Sequence, residues 1–80
     1  MSTTLADCSA GKRAIVEDFQ GDVSYYQRLF EMGILKGTSI LVIGHAPLGD
    51  PLQIEVRGTR LTLRLADAKR IFIRTYANKE

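Results

Sequence analysis

The side chains that could hold a metal ion in this chain are few. The chain has one histidine, His45, and one cysteine, Cys8, and Asp50 is the first carboxylate after His45. Zinc and transition-metal sites usually take ligands from closely spaced pairs, whereas these three residues are scattered and contain no close pair. We therefore predict no metal site. We interpret His45 as a surface residue at the end of a strand and Cys8 as a small buried hydrophobic residue.

Catalytic motifs are also missing from the sequence. It has no serine, histidine and acid in the spacing of a nucleophilic triad, and no CxxC pair. It has no glycine-rich phosphate loop followed by lysine and serine or threonine. We predict that the chain is not an enzyme and binds no cofactor, which leaves binding through shaped loops and charged surfaces.

Length and composition indicate one small globular domain. The 80 residues are 45% hydrophobic, which is too apolar for a disordered chain. The longest strongly apolar run, Ile40–Ile43, is far short of the ~20 residues that span a bilayer. A single cysteine excludes an internal disulfide framework and is typical of a reducing compartment. Since no secretion signal is visible either, we expect a cytoplasmic protein.

Pattern and turn residues predict a mainly β fold. We expect a helix that begins after Asp22 or Ser24 as N-cap and ends before Gly33, with Ile34 packing back on Leu29. A single helical turn over 66–69 should precede the last strand. The other predicted elements outside the hairpin are strands Arg13–Phe19 and Thr38–His45 and a last strand that starts at Ile71.

The hairpin between these elements has the sharpest pattern. Leu52, Ile54 and Val56 alternate with polar residues, and leucines alternate again over 61–65. We predict a two-residue turn at Gly58-Thr59, of type II′ because glycine comes first. The predicted facing pairs, all on the buried side, are Leu52 with Leu65, Ile54 with Leu63 and Val56 with Leu61.

Five short strands with one inserted helix cannot bury their apolar side chains as a flat sheet. Closing the strands into a small bent barrel would do so and would remove the exposed edges. We predict a five-stranded SH3-like barrel in a single domain over 1–80, with an ordered core of about residues 5–75. Residues 1–4 are expected to be a loose end and 77–80 a frayed tail.

Charge is distributed unevenly along the chain. The net charge is +2, but residues 1–50 carry −2 and residues 51–80 carry +4. The predicted register places Arg57 directly opposite Arg60 on the solvent face, with Arg64 further along, and like charges in this position repel. An acidic partner surface or phosphate would relieve the repulsion; a solvated basic face is the alternative. Nucleic acid is not expected, because no aromatic side chains interleave these arginines.

The loop Ala46–Pro51 is the second candidate for partner binding. Its two prolines restrict the backbone and Gly49 permits a sharp turn, so the loop loses little entropy when it binds. Leu48 is expected at the tip with its apolar side chain exposed. A purely structural turn is the alternative. The predicted partner-binding residues are therefore Leu48, Gly49, Asp50, Arg57, Arg60 and Arg64.

These segments together resemble a known family. The stretch Arg28–Gly37, the loop Ala46-Pro47-Leu48-Gly49-Asp50-Pro51, and Val56-Arg57-Gly58 followed by the leucines of 61–65 resemble the FeoA family over about residues 5–73. These are small cytoplasmic accessory proteins of bacterial ferrous iron uptake, a transition metal ion transport function. The resemblance implies an SH3-like barrel and a partner, the FeoB permease with its cytoplasmic GTP-binding domain. It carries no iron ligand set onto these residues.

We therefore predict a non-catalytic interaction module that docks on an FeoB-like permease and is recruited to the inner face of the membrane without inserting into it. Self-association is expected to be weak at most. One alternative is a regulatory module, because the barrel is similar to the C-terminal domain of metal-dependent repressors. Another is a GTPase activator that inserts Arg28 or Arg57 into the nucleotide site. Reversing Arg57 and Arg60 to glutamate is predicted to weaken docking while the fold stays intact.

Overall fold

A computed structural model describes residues 3–75 of the chain. These residues form a mainly β fold with two short α-helices. A 3₁₀ turn at Leu5–Asp7 follows the first strand. The elements in chain order are β1 (Thr3–Thr4), β2 (Arg13–Phe19), α1 (Val23–Glu31), β3 (Ser39–His45), β4 (Leu52–Val56), β5 (Thr59–Leu63), α2 (Leu65–Ala68) and β6 (Ile71–Thr75).

All pairings in the sheet are antiparallel, and the strand order is β1-β6-β2-β3-β4-β5. Over residues 3–75 no ladder joins β5 to β1, so the bent sheet stays open and keeps two edges. The predicted class is confirmed in its main features, but the strand number of five and the complete closure were wrong. The predicted loose ends are residues 1–4 and 77–80. Of these, residues 1, 2 and 77–80 lie outside the described part of the chain.

The additional strand is β1, in a segment predicted to be a loose end. Thr3 pairs with Ile73 and Thr4 with Phe72, and Leu5 directly after them is fully buried. A two-residue strand shows no alternation that could be read from sequence. Its pairing is decided by β6, which contacts it from the other end of the chain.

The first long strand, β2, has the predicted bounds and explains why its alternation is imperfect. A β-bulge between Val16 and Asp18 inserts Glu17 as an extra residue. This shift lets Ala14, Val16 and Phe19 all face the core although their spacing is uneven.

The helix α1 ends as its sequence predicts. Gly33, with φ of +88°, donates its N–H to the carbonyl of Phe30, and Ile34 donates to that of Leu29 at 3.0 Å. These two bonds form a Schellman ending, in which glycine adopts the left-handed conformation. Ile34 and Leu29 are both buried in the main core. The ring of Tyr26 in α1 stacks on that of Phe19 in β2, with ring centroids 4.7 Å apart.

The hairpin register differs from the prediction by two residues. The turn is Arg57-Gly58, and both residues have positive φ, +53° and +81°. Two successive positive φ angles define a type I′ turn, in place of the type II′ turn predicted from Gly58-Thr59. Leu52 therefore faces Leu63 instead of Leu65, and the other observed pairs include Ile54 with Leu61, Glu55 with Arg60 and Val56 with Thr59.

A shift of two residues keeps the strand side chains on their predicted faces, since these alternate with period two. Leu65 is the exception: it begins α2 instead of ending the strand, and it is only half-buried. Leu52, Ile54, Val56 and Leu63 are buried as predicted, and Leu61 packs partly buried against them. Cys8 is buried in the same core, as predicted. Over residues 3–75 no helix is both long enough and apolar enough to cross a bilayer.

Candidate partner-binding surface

The loop between β3 and β4 is held by backbone hydrogen bonds. Gly49 donates to the carbonyl of Ala46 at 2.7 Å, and Ala46 donates to that of Pro51 at 3.0 Å. The ring of His45, exposed at the strand end as predicted, lies with Nδ1 3.3 Å from the Gly49 carbonyl oxygen. The side chain of Leu48 at the tip is 96% exposed. The loop thus presents an apolar side chain on a braced backbone.

Asp50, predicted as a contact residue of this loop, has a structural role. Its Oδ1 accepts the backbone N–H of Leu65 at 2.9 Å. Leu65 is the first residue of α2, and the first N–H groups of a helix have no partner within the helix. The Asp50 carboxylate therefore caps α2 from a distant loop, which leaves Leu48 as the loop side chain most free to contact a partner.

Arg57 and Arg60 do not face each other, so this part of the prediction was wrong. Arg57 lies in the turn, and its Nη1 donates to the carbonyl oxygen of Gly33 at 3.4 Å. Arg60 faces Glu55, with 3.9 Å between Nε and Oε1. The Arg60 side chain is 77% exposed, so this ion pair is weak. The pairing relieves the charge repulsion that the predicted register implied.

Arg64 lies directly after β5, where the chain turns into α2. Its backbone is extended and its carbonyl accepts the N–H groups of Asp67 and Ala68. Its side chain is exposed and has no ion-pair partner among the residues that the structure describes. It lines a shallow depression together with Arg28, Met32, Asp50, Pro51, Thr62, Leu63 and Asp67.

An ion pair among the residues that line this depression was not predicted from the sequence. Arg28 Nη2 donates to Asp67 Oδ2 at 2.9 Å and so joins α1 to α2. The Asp67 side chain is only 9% exposed, whereas that of Arg28 is 66% exposed. Nothing in the spacing of these residues, 39 positions apart, signals the pairing. The two arginines named as candidate activating residues thus each have a contact within the domain, Arg28 with Asp67 and Arg57 with the Gly33 carbonyl.

The structure brings some of the predicted contact residues together and separates others. Asp50 and Arg64 line one depression, whereas Arg60 lines another with Ile43, Gln53, Leu61 and Thr62. Arg57 lies at the far end of β4, a strand of five residues or about 17 Å. The basic residues therefore follow the edge of the sheet along β5 instead of forming one compact patch.

Metal-binding side chains do not cluster. Over residues 3–75 no group of three histidine, cysteine, aspartate or glutamate side chains is arranged to hold a metal ion. Burial raises the pKa of the Cys8 thiol, with a smaller opposing influence from Lys12. Cys8 is therefore a neutral core side chain at physiological pH.

Comparison with known proteins identifies the family. Residues 3–75 match the family model of the FeoA domain, which is the whole of the described part of the chain. The chain belongs to the FeoA family. The FeoA resemblance stated from the sequence motifs is thereby confirmed.

Three relatives of this FeoA domain show how it occurs elsewhere. A Porphyromonas gingivalis protein named as a fusion of Fe(2+) transport protein A with the transporter FeoB is 31% identical over 84% of this chain. The chain spans only 8% of that protein's length. The solution structure of an FeoA-like protein from Clostridium acetobutylicum is 28% identical, with a TM-score of 0.89 over 99% of this chain and 92% of that one.

The third relative confirms the SH3-like class. Stenotrophomonas maltophilia FeoA, crystallised with zinc and described as a prokaryotic SH3 domain protein, is 30% identical to this FeoA domain. Its TM-score is 0.72 over 90% of this chain and 89% of that one. The manganese regulator SloR has a TM-score of 0.81 over 92% of this chain and 34% of its own, but only 18% identity. That likeness shows a shared fold alone.

Proposed function

We propose that this chain is a non-catalytic accessory protein of ferrous iron uptake that docks on an FeoB-type permease. One observation carries the proposal: in the Porphyromonas gingivalis relative, the segment that matches this chain and the FeoB transporter form one polypeptide. In a fusion protein the covalent link keeps the two modules close together at a high effective concentration. Separate chains come equally close only when they bind each other. In this proposal the separate FeoA chain reaches the permease by affinity.

The geometry of the surface supports contact with a protein. The braced loop presents Leu48, an apolar side chain suited to a pocket on a partner. Arg60 and Arg64 add exposed guanidinium groups, which recognise carboxylates well. In the proposal these residues, together with Gly49, Asp50 and Arg57, form the contact surface. Asp50 and Arg57 contribute mainly by holding the loop and the turn in place.

We place the docked protein in the cytoplasm, on the inner face of the membrane that holds the permease. In this position the module could act on the GTP-binding domain, on gating or on assembly. The role of the chain is then to change a property of the permease, with no chemistry of its own.

A titration of the isotope-labelled chain with the permease's cytoplasmic domain, with and without a GTP analogue, tests the proposal. We expect NMR shifts at Leu48 and along residues 57–64, and a dependence on nucleotide if the GTPase cycle is regulated. Replacing Arg60 and Arg64 by glutamate should weaken binding by about tenfold or more.

The matched control reverses two other exposed cations, Lys36 and Arg74, which pair with carboxylates of β2. This control has the same change in net charge but should bind like the unmodified chain. Equal affinity of the two double variants would show that Arg60 and Arg64 do not belong to the contact surface. Binding to neither the cytoplasmic domain nor the full-length permease would refute docking.

A further inference from the structure

The outer side of β5 is an open sheet edge. In a two-residue hairpin the pair next to the turn, Val56 and Thr59, exchanges both backbone hydrogen bonds. Such pairs alternate along an antiparallel ladder, so the backbone groups of Leu61 and Leu63 also point towards β4. Those of Arg60 and Thr62 therefore point away from it. Neither residue has another backbone hydrogen bond within residues 3–75.

Neighbouring strands support this assignment independently. Val42 of β3 donates to Lys12 and accepts from Gly11, so its backbone groups point away from β4. The backbone groups of the preceding residue, Leu41, point to the opposite side, towards β4, and bond to its partner Glu55. Glu55 in turn directs its backbone groups towards β3, which leaves its other partner, Arg60, without bonds from β4. The edge therefore has four free groups, the N–H and the carbonyl of each of these two residues. Arg60 and Thr62 are two residues apart, which is the spacing at which a neighbouring strand forms its hydrogen bonds.

Two depressions border this edge, and Thr62 lines both of them. The smaller one, of about 300 Å³, is lined by Ile43, Gln53, Arg60, Leu61 and Thr62. The larger one, next to α1, is lined by Arg64, Thr62 and the Arg28–Asp67 pair among others. An extended segment along β5 would pass both depressions, and its alternating side chains could contact them.

Charge decides which segment fits. The hairpin through Arg64 carries three arginines and one glutamate, so the edge is basic. A second copy of this chain, paired β5 to β5, would bring the Arg60 side chains of both copies together on one short ladder, with Arg57 and Arg64 of each copy at its ends, which is unfavourable. A segment with aspartate or glutamate would instead neutralise Arg64, whose side chain has no ion-pair partner among the residues described.

We propose that the β5 edge binds an extended acidic segment of the partner protein as an added strand. This inference rests on the proposed docking on the permease and specifies how it occurs. The backbone of Arg60 and Thr62 supplies the pairing, and Arg60 and Arg64 select acidic side chains.

Residue-resolved hydrogen exchange of the full 80-residue chain tests the proposal, alone and with the full-length permease in lipid nanodiscs. The amides of Arg60 and Thr62 should exchange quickly in the free chain, whereas those of Leu61 and Leu63 should be protected. On binding, the Arg60 and Thr62 amides should become protected as well.

Thr62→Pro is the decisive variant. It removes an edge N–H without breaking the β4–β5 ladder, because that N–H points outwards. We expect affinity for the permease to fall by at least about tenfold, since one hydrogen bond is lost and the ring obstructs the neighbouring strand. Thr62→Val, the matched comparison, loses the hydroxyl but keeps the N–H, so its affinity should fall much less than that of Thr62→Pro. Protected Leu61 and Leu63 amides verify that each variant is folded.

The outcomes separate the two proposals. Binding that leaves the Arg60 and Thr62 amides unprotected would overturn strand addition and leave docking intact. Protection that rises with the concentration of the chain alone would mean that a second copy occupies the edge, which also overturns it. Failure of the permease to bind the unmodified chain at all would refute the docking proposal itself.

Discussion

The Arg28–Asp67 pair should be the ion pair that matters most for stability. Replacing Arg28 with Met removes the charge but keeps a long apolar stem and a good helix former. The buried Asp67 carboxylate then loses the guanidinium that contacts it at 2.9 Å. Hydrogen bonds to charged groups contribute about 1.5–3 kcal/mol, and the exposure of Arg28 lowers this value.

We therefore expect the free energy of unfolding to fall by about 1.5 kcal/mol. For a domain of this size the corresponding fall in Tm is about 6–12 °C. Asp67→Asn should cost about 1 kcal/mol. The double variant should lose less than the sum, with a coupling of about 1 kcal/mol between the two sites.

Urea denaturation of the four proteins at constant pH measures these values, with unchanged m-values showing that the unfolded state is comparable. Arg74→Met is the matched control, since Arg74 pairs with Glu17 at 3.5 Å but both side chains are largely exposed. It should cost no more than about 0.5 kcal/mol. An Arg28→Met variant as stable as this control, or a coupling near zero, would refute the reasoning.

Three further predictions concern the backbone, the loop and the core. Gly33→Ala should destabilise the fold by about 1–2 kcal/mol, because φ is +88° and the new Cβ would lie 3.1 Å from an arginine of the β4–β5 turn. Gly44→Ala is the control, since Gly44 has open space around it and no positive φ. It should change the free energy of unfolding by at most about 0.5 kcal/mol in the same denaturation assay. Asp50→Ala should cost about 1 kcal/mol, since it removes the cap of α2, and a loss near zero would contradict that role. The Cys8 thiol, whose pKa burial raises, should react slowly with a disulfide reagent at neutral pH and quickly once guanidinium chloride unfolds the chain; equally fast reaction in the folded state would show that it is accessible.

Local signals account for what was predictable about the fold. The run Arg13–Phe19 is bounded by turn residues, and its observed limits agree with the prediction. The end of α1 depends on Gly33 and Ile34, which lie within one turn of the helix they close. The buried side of the hairpin follows from alternation alone. Each of these features is decided by residues close together in sequence.

Family motifs were the other source of correct prediction. The stretch Arg28–Gly37, which contains Met32-Gly33-Ile34, and the loop Ala46–Pro51 indicated the FeoA family, which the match over residues 3–75 confirms. Composition and spacing without these motifs indicated only a small binding module. The contact residues themselves stay a prediction.

Tertiary structure alone decided the features that shape the candidate surface. Alternation with period two cannot distinguish hairpin registers that differ by two residues, so only the positive φ angles of Arg57 and Gly58 place Arg60 opposite Glu55. The short strand β1, the cap that Asp50 provides for α2 and the Arg28–Asp67 pair each join residues far apart in sequence. Local sequence patterns and motifs were sufficient for most of the individual elements and for the family. Which side chains meet across those elements, and which edge of the sheet stays open, depended on packing between distant segments.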